Sequence, residues 1–200
     1  VYAAMDGGKY NTLLCYIDRH GKWWLLEEWQ ESLTRHGGKQ LLAALGSKGF
    51  VTMPGNEIIH PDVIIPVLHG KNGEDGTVQG LAELLHIPIV GCDTIASAVT
   101  VDKVMTKNIA EAHGIASAKY VVYHRGEKRL SFDHVSSQLG ATVFVKPCRA
   151  GSSIGVSKVG NANEFSSAID VALEHDDRVL IEEALVGREI ETAVLGAGVA

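Results

Sequence analysis

At 200 residues, 46% hydrophobic and 21% charged, the chain has the composition of an ordinary soluble globular protein, in one large domain or two small ones. A formal net charge of -6 argues against nucleic acid or an anionic membrane as the main partner. No run nears the ~18 apolar residues of a membrane-spanning helix. Cys15, Cys92 and Cys148 are widely spaced and form no CxxC pair, so a disulfide framework or thiolate zinc site is not expected and a reducing, cytoplasmic compartment is. The start at Val1, with no signal-peptide pattern, and the apolar stretch running into Ala200 point to a chain cut at both ends.

Leu13 to Ile17 and Trp23 to Leu26 are apolar runs separated by Asp18-Arg19-His20-Gly21-Lys22, which predicts a hairpin. Arg35 to Gly55 is rich in glycine and polar residues and carries no assignable period. Asp62 to Leu68 is the continuous apolar run of a buried parallel strand. A Gly-rich turn follows, then a helix from about Gly76 with Val78, Leu81, Ala82 and Leu85 on one face. Ile87-Pro88 ends it and Ile89-Val90-Gly91 reads as the next strand, completing a βαβ unit. A second region begins near Ala96. The spacing predicts a helix over Asp102 to His113, with Met105, Ile109 and Ala112 on one stripe and Gly114 as its stop. Lys119–Tyr123, Val143–Lys146 and Val156–Val159 read as strands. Asn161-Ala162-Asn163-Glu164 resembles a capping box, opening a helix with Phe165, Ile169, Ala172 and Leu173 inward. Val179–Glu182 and Glu189–Leu195 complete the strands. Alternating strands and helices without repeats make the class α/β, with a boundary near residues 93–100.

The strongest chemical signal is Val145-Lys146-Pro147-Cys148-Arg149-Ala150-Gly151-Ser152-Ser153-Ile154-Gly155-Val156. A lysine closing a strand places an ammonium beside a Gly- and Ser-containing turn, whose N–H and hydroxyl groups can wrap phosphate oxygens. It is not a Walker loop, because the lysine precedes the glycines. A plain hairpin turn explains the spacing equally well. Lys103 opens a helix, where its charge opposes the dipole and is better tolerated beside an anion; alone it reads as a solvated surface lysine. His69 heads His69-Gly70-Lys71-Asn72-Gly73-Glu74-Asp75-Gly76, between strand and helix, where open α/β sheets bind ligands. Glu74 and Asp75 there suit helix capping, and His69 fits either a polar ligand or a backbone partner. Glu182, Glu183, Leu185 and Glu189 follow a strand and can serve an adenine and a ribose, although carboxylates at strand ends are common. Trp23, Trp24 and Trp29 read as hairpin packing.

Taken in order, these stretches resemble the D-alanine–D-alanine ligases, members of the ATP-grasp superfamily. Leu68 to Gly91 ("LHGKNGEDGTVQGLAELLHIPIVG"), Ala96-Ser97-Ala98 with Asp102-Lys103, Val143 to Val159 ("VFVKPCRAGSSIGVSKV") and Leu180 to Glu191 ("LIEEALVGREIE") carry the resemblance, convincingly over about residues 60–200. It implies an N-terminal Rossmann-like α/β domain over 1–95, on the substrate side, and an ATP-grasp nucleotide-binding domain over 96–200. It also implies the activity: ATP phosphorylates one D-alanine carboxylate, and the amine of a second attacks the acyl phosphate, giving the dipeptide for peptidoglycan. By the same resemblance Lys103 and Lys146 contact the ATP phosphates, and Ser152 and Ser153 sit on the loop that closes over them. Ser152 also orients the first D-alanine, with His69 near it. Glu182 and Leu185 lie at the adenine and Glu189 at the ribose.

Departures from the family pattern matter as well. Glu183 stands where many relatives carry lysine, and Ala150 where some are acidic. The opening Gly-rich turn with its substrate glutamate, the loop selecting the second substrate, the oxyanion arginine and the Mg2+ (or Mn2+) ligands are not in this stretch. Metal ligands are therefore expected beyond residue 200, none within the chain, and the isolated chain is expected to be inactive. The resemblance further implies a cytoplasmic homodimer. The alternatives are a D-alanine–D-lactate ligase of the vancomycin-resistance type and, from another class, a non-catalytic ATP-grasp nucleotide-binding module.

Overall fold

A computed structural model of the chain describes residues 1–28, 38–193 and 196. They form two compact units, Val1–Leu68 with Asn72–Ser97, and His69–Lys71 with Ala98–Ala200. Among the described residues no helix is long and apolar enough to cross a membrane.

The first unit holds a five-stranded antiparallel meander: β1 (Leu14–Ile17), β2 (Trp23–Leu26), β3 (Lys39–Ala44), β4 (Gly49–Met53) and β5 (Ile58–Ile59). Asp18 builds the first hairpin turn. Its carboxylate accepts the amides of His20 at 2.8 Å and Lys22 at 3.0 Å and the indole N–H of Trp24 at 3.0 Å. Gly21 supplies the positive φ of 76° that closes the turn. The expected hairpin is therefore present, with Leu14 opposite Leu26 and Ile17 opposite Trp23. β3 and β4 form a second hairpin within the stretch that resisted assignment from sequence. Leu41 and Phe50 on these strands join Leu85 and Ile87 in the core, and the Phe50 ring stacks on Trp23 with centroids 5.5 Å apart.

α1 (Thr77–Leu84) buries Val78, Gln79 and Ala82, so the expected inward face is largely borne out. Asp75 caps the turn before it, accepting the amides of Asn72 at 2.8 Å and Thr77 at 3.1 Å. The run 62–68 differs from expectation. It makes a single parallel bridge, Ile64 to Ile89, and Val63, Ile65 and Val67 are exposed. Only Ile64 reaches the core, because among the described residues no strand covers the other side of this run.

α2 (Thr94–Val101) leads into the second unit, whose sheet has the order β6 (Tyr120–His124), β9 (Arg178–Glu183), β7 (Val143–Pro147), β8 (Ser157–Val159), antiparallel throughout. α3 is Lys103–Ala112, α4 Phe132–Leu139 and α5 Ala162–Leu173. The capping box at α5 is real: Asn161 accepts the Glu164 amide at 3.0 Å, and Glu164 reaches back to the Gly160 amide at 3.0 Å. Phe165, Ala168, Ile169 and Ala172 pack on Val143, Val145, Val159, Val179 and Ile181, with Val135 and Leu139 of α4 completing the core. The expected apolar stripe of α3 is outward instead, Met105 and Ile109 each being 44% exposed. Its half-buried stripe runs through Lys103 and Lys107, whose ammonium groups find partners inside. Residues 189–193 form no strand, since among the described residues no neighbouring strand offers them a ladder; Trp29, residues 35–37 and 194–195 lie outside the described residues.

Ile169 is fully buried and Val171, two residues on, is 40% exposed. Ile169→Ala should therefore cost about 2–5 kcal/mol and Val171→Ala less than about 1 kcal/mol. Urea unfolding midpoints of the two variants check this.

Candidate functional site

β7 ends at Pro147, and the carbonyls beyond it need donors that the ladder does not supply. Lys103 provides them. Its ammonium donates to the carbonyls of Pro147 at 3.1 Å, Cys148 at 3.4 Å and Ala150 at 2.6 Å, and its backbone N–H to Cys148 at 3.0 Å. Asp102 holds the lysine at the first position of α3 by accepting the amides of Val104 and Met105, and it pairs with Arg178 at the start of β9. Lys103 is thus no solvated surface lysine. Burial first, then repulsion from Lys146, holds its ammonium pKa below the usual 10.5, with Cys148, Asp176 and Glu182 opposing the shift.

Lys146 lies on β7 itself, one residue before Pro147. Its ammonium pairs with Oε1 of Glu182, on the adjacent β9, while Lys107 pairs with Oε2 at 3.2 Å. Attraction at 3.2 Å is roughly 5 kcal/mol at an effective dielectric of about 20, and desolvating the charges costs several kcal/mol per ion. The two nearly cancel. This triad sets geometry more than it adds stability.

The loop between β7 and β8 is also the hairpin turn that spacing allowed. Ile154 donates to the Gly151 carbonyl at 3.0 Å across a type I′ turn, with φ of 49° at Ser152 and 58° at Ser153. Such angles cost a non-glycine residue about 1 kcal/mol or more each. Among the described residues, no protein group accepts the amides of Ser152 or Ser153, and both residues are exposed. Gly155 ends the loop at φ 69°, where a Cβ would lie 3.1 Å from the Pro147 ring and 2.7 Å from His175. The loop's root is anchored. Arg149 donates its backbone N–H to Asp176 at 2.8 Å and two N–H groups of its guanidinium, from Nε and Nη2, at 3.1 and 2.5 Å. The Asp176 side chain is 1% exposed. Burial opposes its ionisation, yet the hydrogen bonds from Arg149 and Arg178 hold its pKa below 3.8.

Lys103, Lys146, Glu182 and the loop root therefore form one connected set, with Ser152 and Ser153 at the loop tip. Leu185 and Glu189 are exposed on the irregular segment after β9, and His69 is exposed in the turn before α1. Glu183 accepts the Lys119 amide at 2.8 Å, so this departure from the family pattern closes the end of the β6–β9 pair. Sequence reading missed Lys107, although its i, i+4 spacing from Lys103 placed both on one helix face. It also missed the Arg149–Asp176 clamp, for which no local pattern exists. Among the described residues, no group of three or more His, Cys, Asp or Glu side chains can hold a metal ion.

Two family models match the chain, D-ala D-ala ligase N-terminus over residues 1–92 and D-ala D-ala ligase C-terminus over residues 109–200. The chain belongs to the D-alanine–D-alanine ligase family. A D-alanine–D-alanine ligase of Oceanobacillus iheyensis is 37% identical over 96% of the chain and 56% of its own length. Among solved structures, the VanG D-Ala:D-Ser ligase of Enterococcus faecalis matches at 34% identity and TM-score 0.82, over 93% of this chain and 56% of that one. The D-alanine–D-alanine ligase of Coxiella burnetii matches at 28% and 0.84, over 93% and 57%. The chain thus spans about half the length of the relatives it matches. The mixed α/β architecture is that of ATP-grasp ligases, within the family's shared fold.

Asp176 is the keystone of the loop root in this family member. Its folded pKa is depressed, so its contribution is full above about pH 4 and is lost as pH falls through the folded value. Asp176→Asn should cost about 1–3 kcal/mol at pH 7, and the gap to wild type should narrow below pH 3.8. Denaturant unfolding at pH 7, 5 and 3 measures it.

Proposed function

We propose that this chain forms the nucleotide side, and part of the substrate side, of an ATP-dependent ligase that joins two D-alanines through an acyl phosphate for peptidoglycan. The observation that carries this reading is the Lys103–Lys146 pair beside a loop whose serine amides have no protein acceptor. Two buried-side cations and a set of open N–H donors suit a polyphosphate. The names of the relatives supply the substrates.

In this reading residues 96–200 are the ATP-grasp nucleotide-binding domain and residues 1–95 the substrate-side domain. Lys146 leaves Glu182 to neutralise phosphate charge, and Lys103 keeps the loop root aligned while its ammonium faces the same charge. Ser152 and Ser153 close over the phosphates, and Ser152 orients the first D-alanine, with His69 near it. Backbone groups at Glu182 and Leu185 take the adenine, and Glu189 the ribose. Phosphoryl transfer is chiefly positioning and charge neutralisation, which these groups provide. Mg2+ (or Mn2+) supplies further neutralisation of the β- and γ-phosphates when bound. The reading includes a cytoplasmic location and a homodimer. D-serine as second substrate is the other reading, favoured by the VanG match.

Phosphate release from ATP by the protein that carries this chain should depend on D-alanine, and comparing D-serine and D-lactate as second substrates separates the alternatives. Lys146→Ala should weaken ATP about tenfold or more while leaving adenosine nearly unchanged, and Lys146→Arg should restore only part. Calorimetric titration of each ligand measures this; equal loss for ATP and adenosine would remove the phosphate role.

A further inference from the structure

Glu182 is the carboxylate that Lys107 and Lys146 share, its side chain 13% exposed, and it has two cationic partners where one would neutralise it. Those partners are not equivalent. Lys107 is fixed: its ammonium donates to the Ala118 carbonyl at 3.1 Å, pairs with Glu182 Oε2 at 3.2 Å and lies 5.3 Å from the centroid of the Tyr120 ring. With its side chain 14% exposed, it has little reach toward a ligand. Lys146 is the looser of the two. Its side chain is 22% exposed, it holds one carboxylate oxygen and the face of Phe144, and among the described residues no backbone carbonyl accepts from it.

Moving Lys146 to another anion would strand a buried carboxylate if Glu182 had no second partner, and stranded buried charge is strongly unfavourable. The second partner is there. We propose that Lys107 is a positioning residue that holds one oxygen of Glu182 so that Lys146 is free to leave the other for the phosphates of a nucleotide. This rests on the nucleotide reading above. Lys107 touches no ligand in this scheme; it sets how readily Lys146 is released. A merely structural lysine would be blind to the charge of Glu182, and that difference is measurable.

The experiment is a calorimetric comparison of ATP and adenosine binding to the protein that carries this chain and to its variants, each checked for a wild-type thermal melt. K107M should lower the preference for ATP over adenosine about tenfold, the size of one charge-assisted contact, by leaving Lys146 as the sole partner of Glu182. Adding E182Q should restore most of that preference, because Lys146 is then no longer held. K107R keeps the charge and should keep most of the preference. An ATP preference unchanged in K107M, or lost equally in K107M and K107M/E182Q, overturns the proposal. Should K107M alone fail to fold, the E182Q background carries the test: there K107M must leave the preference unchanged, and a drop overturns the assignment. The nucleotide reading fails separately, and takes this inference with it, if wild type shows no ATP preference and K146A changes nothing. A preference that K146A removes and K107M leaves intact sinks Lys107 alone.

Discussion

The ammonium of Lys103, held by the carbonyls of Pro147, Cys148 and Ala150, is the contact on which the functional surface of the second unit depends. A strand that ends in a wide loop leaves its last carbonyls without ladder partners, and buried carbonyls must find donors elsewhere. One lysine satisfies three of them and so fastens α3 to the root of the loop. Asp102 fixes that lysine by capping the helix, and its bond to Arg178 carries the constraint to β9. Arg178 and Arg149 then share Asp176, which closes the circuit back to the loop. Helix start, strand end and loop root are thereby mutually determined.

Charge is distributed to match. The protein carries a net charge of -6, yet Lys107 and Lys146 share one carboxylate, Glu182, and the Lys103 ammonium lies near enough to be repelled by Lys146. The acidic surplus resides elsewhere. Local excess of cation in an acidic protein is a device for specificity, since it draws an anion to one place without making the whole surface adhesive to nucleic acid.

Much of this was legible in the residues. The hairpin around Asp18, α1, the cap at Asn161 and the strand preceding Lys146 each follow from period, turn chemistry or capping, which act within a few residues. Motif order carried the family reading, where no single motif sufficed. The failures share a cause: they depend on groups distant in the chain. Met105 and Ile109 read as an inward stripe because apolar residues usually are, but α3 turns Lys103 inward to a carbonyl 44 residues away and Lys107 inward to Glu182. The 62–68 run reads as buried because it is apolar, while burial also needs a neighbour on each side. β3 and β4 were hidden because Leu41-Leu42-Ala43-Ala44 does not alternate and glycines crowd the segments around the two strands, and Glu189–Leu195 was read as a strand on propensity although its described part, 189–193, has no ladder to join among the described residues. Lys107 was missed because its significance lies in Glu182, 75 positions along the chain.

The strand order β6-β9-β7-β8 has a consequence for how the second unit is made. β9 is the last of the four to leave the ribosome, and it sits between β6 and β7. Until residue 183 has emerged, β6 has no sheet partner, and only the short β7–β8 hairpin can pair. A nascent chain must therefore keep β6 and the outer side of β7 uncommitted while α4, β8 and α5 are synthesised. Exposed strand edges of that kind recruit other chains. The same late strand brings Glu182 to the two lysines, so sheet closure and assembly of the charged cluster are a single event.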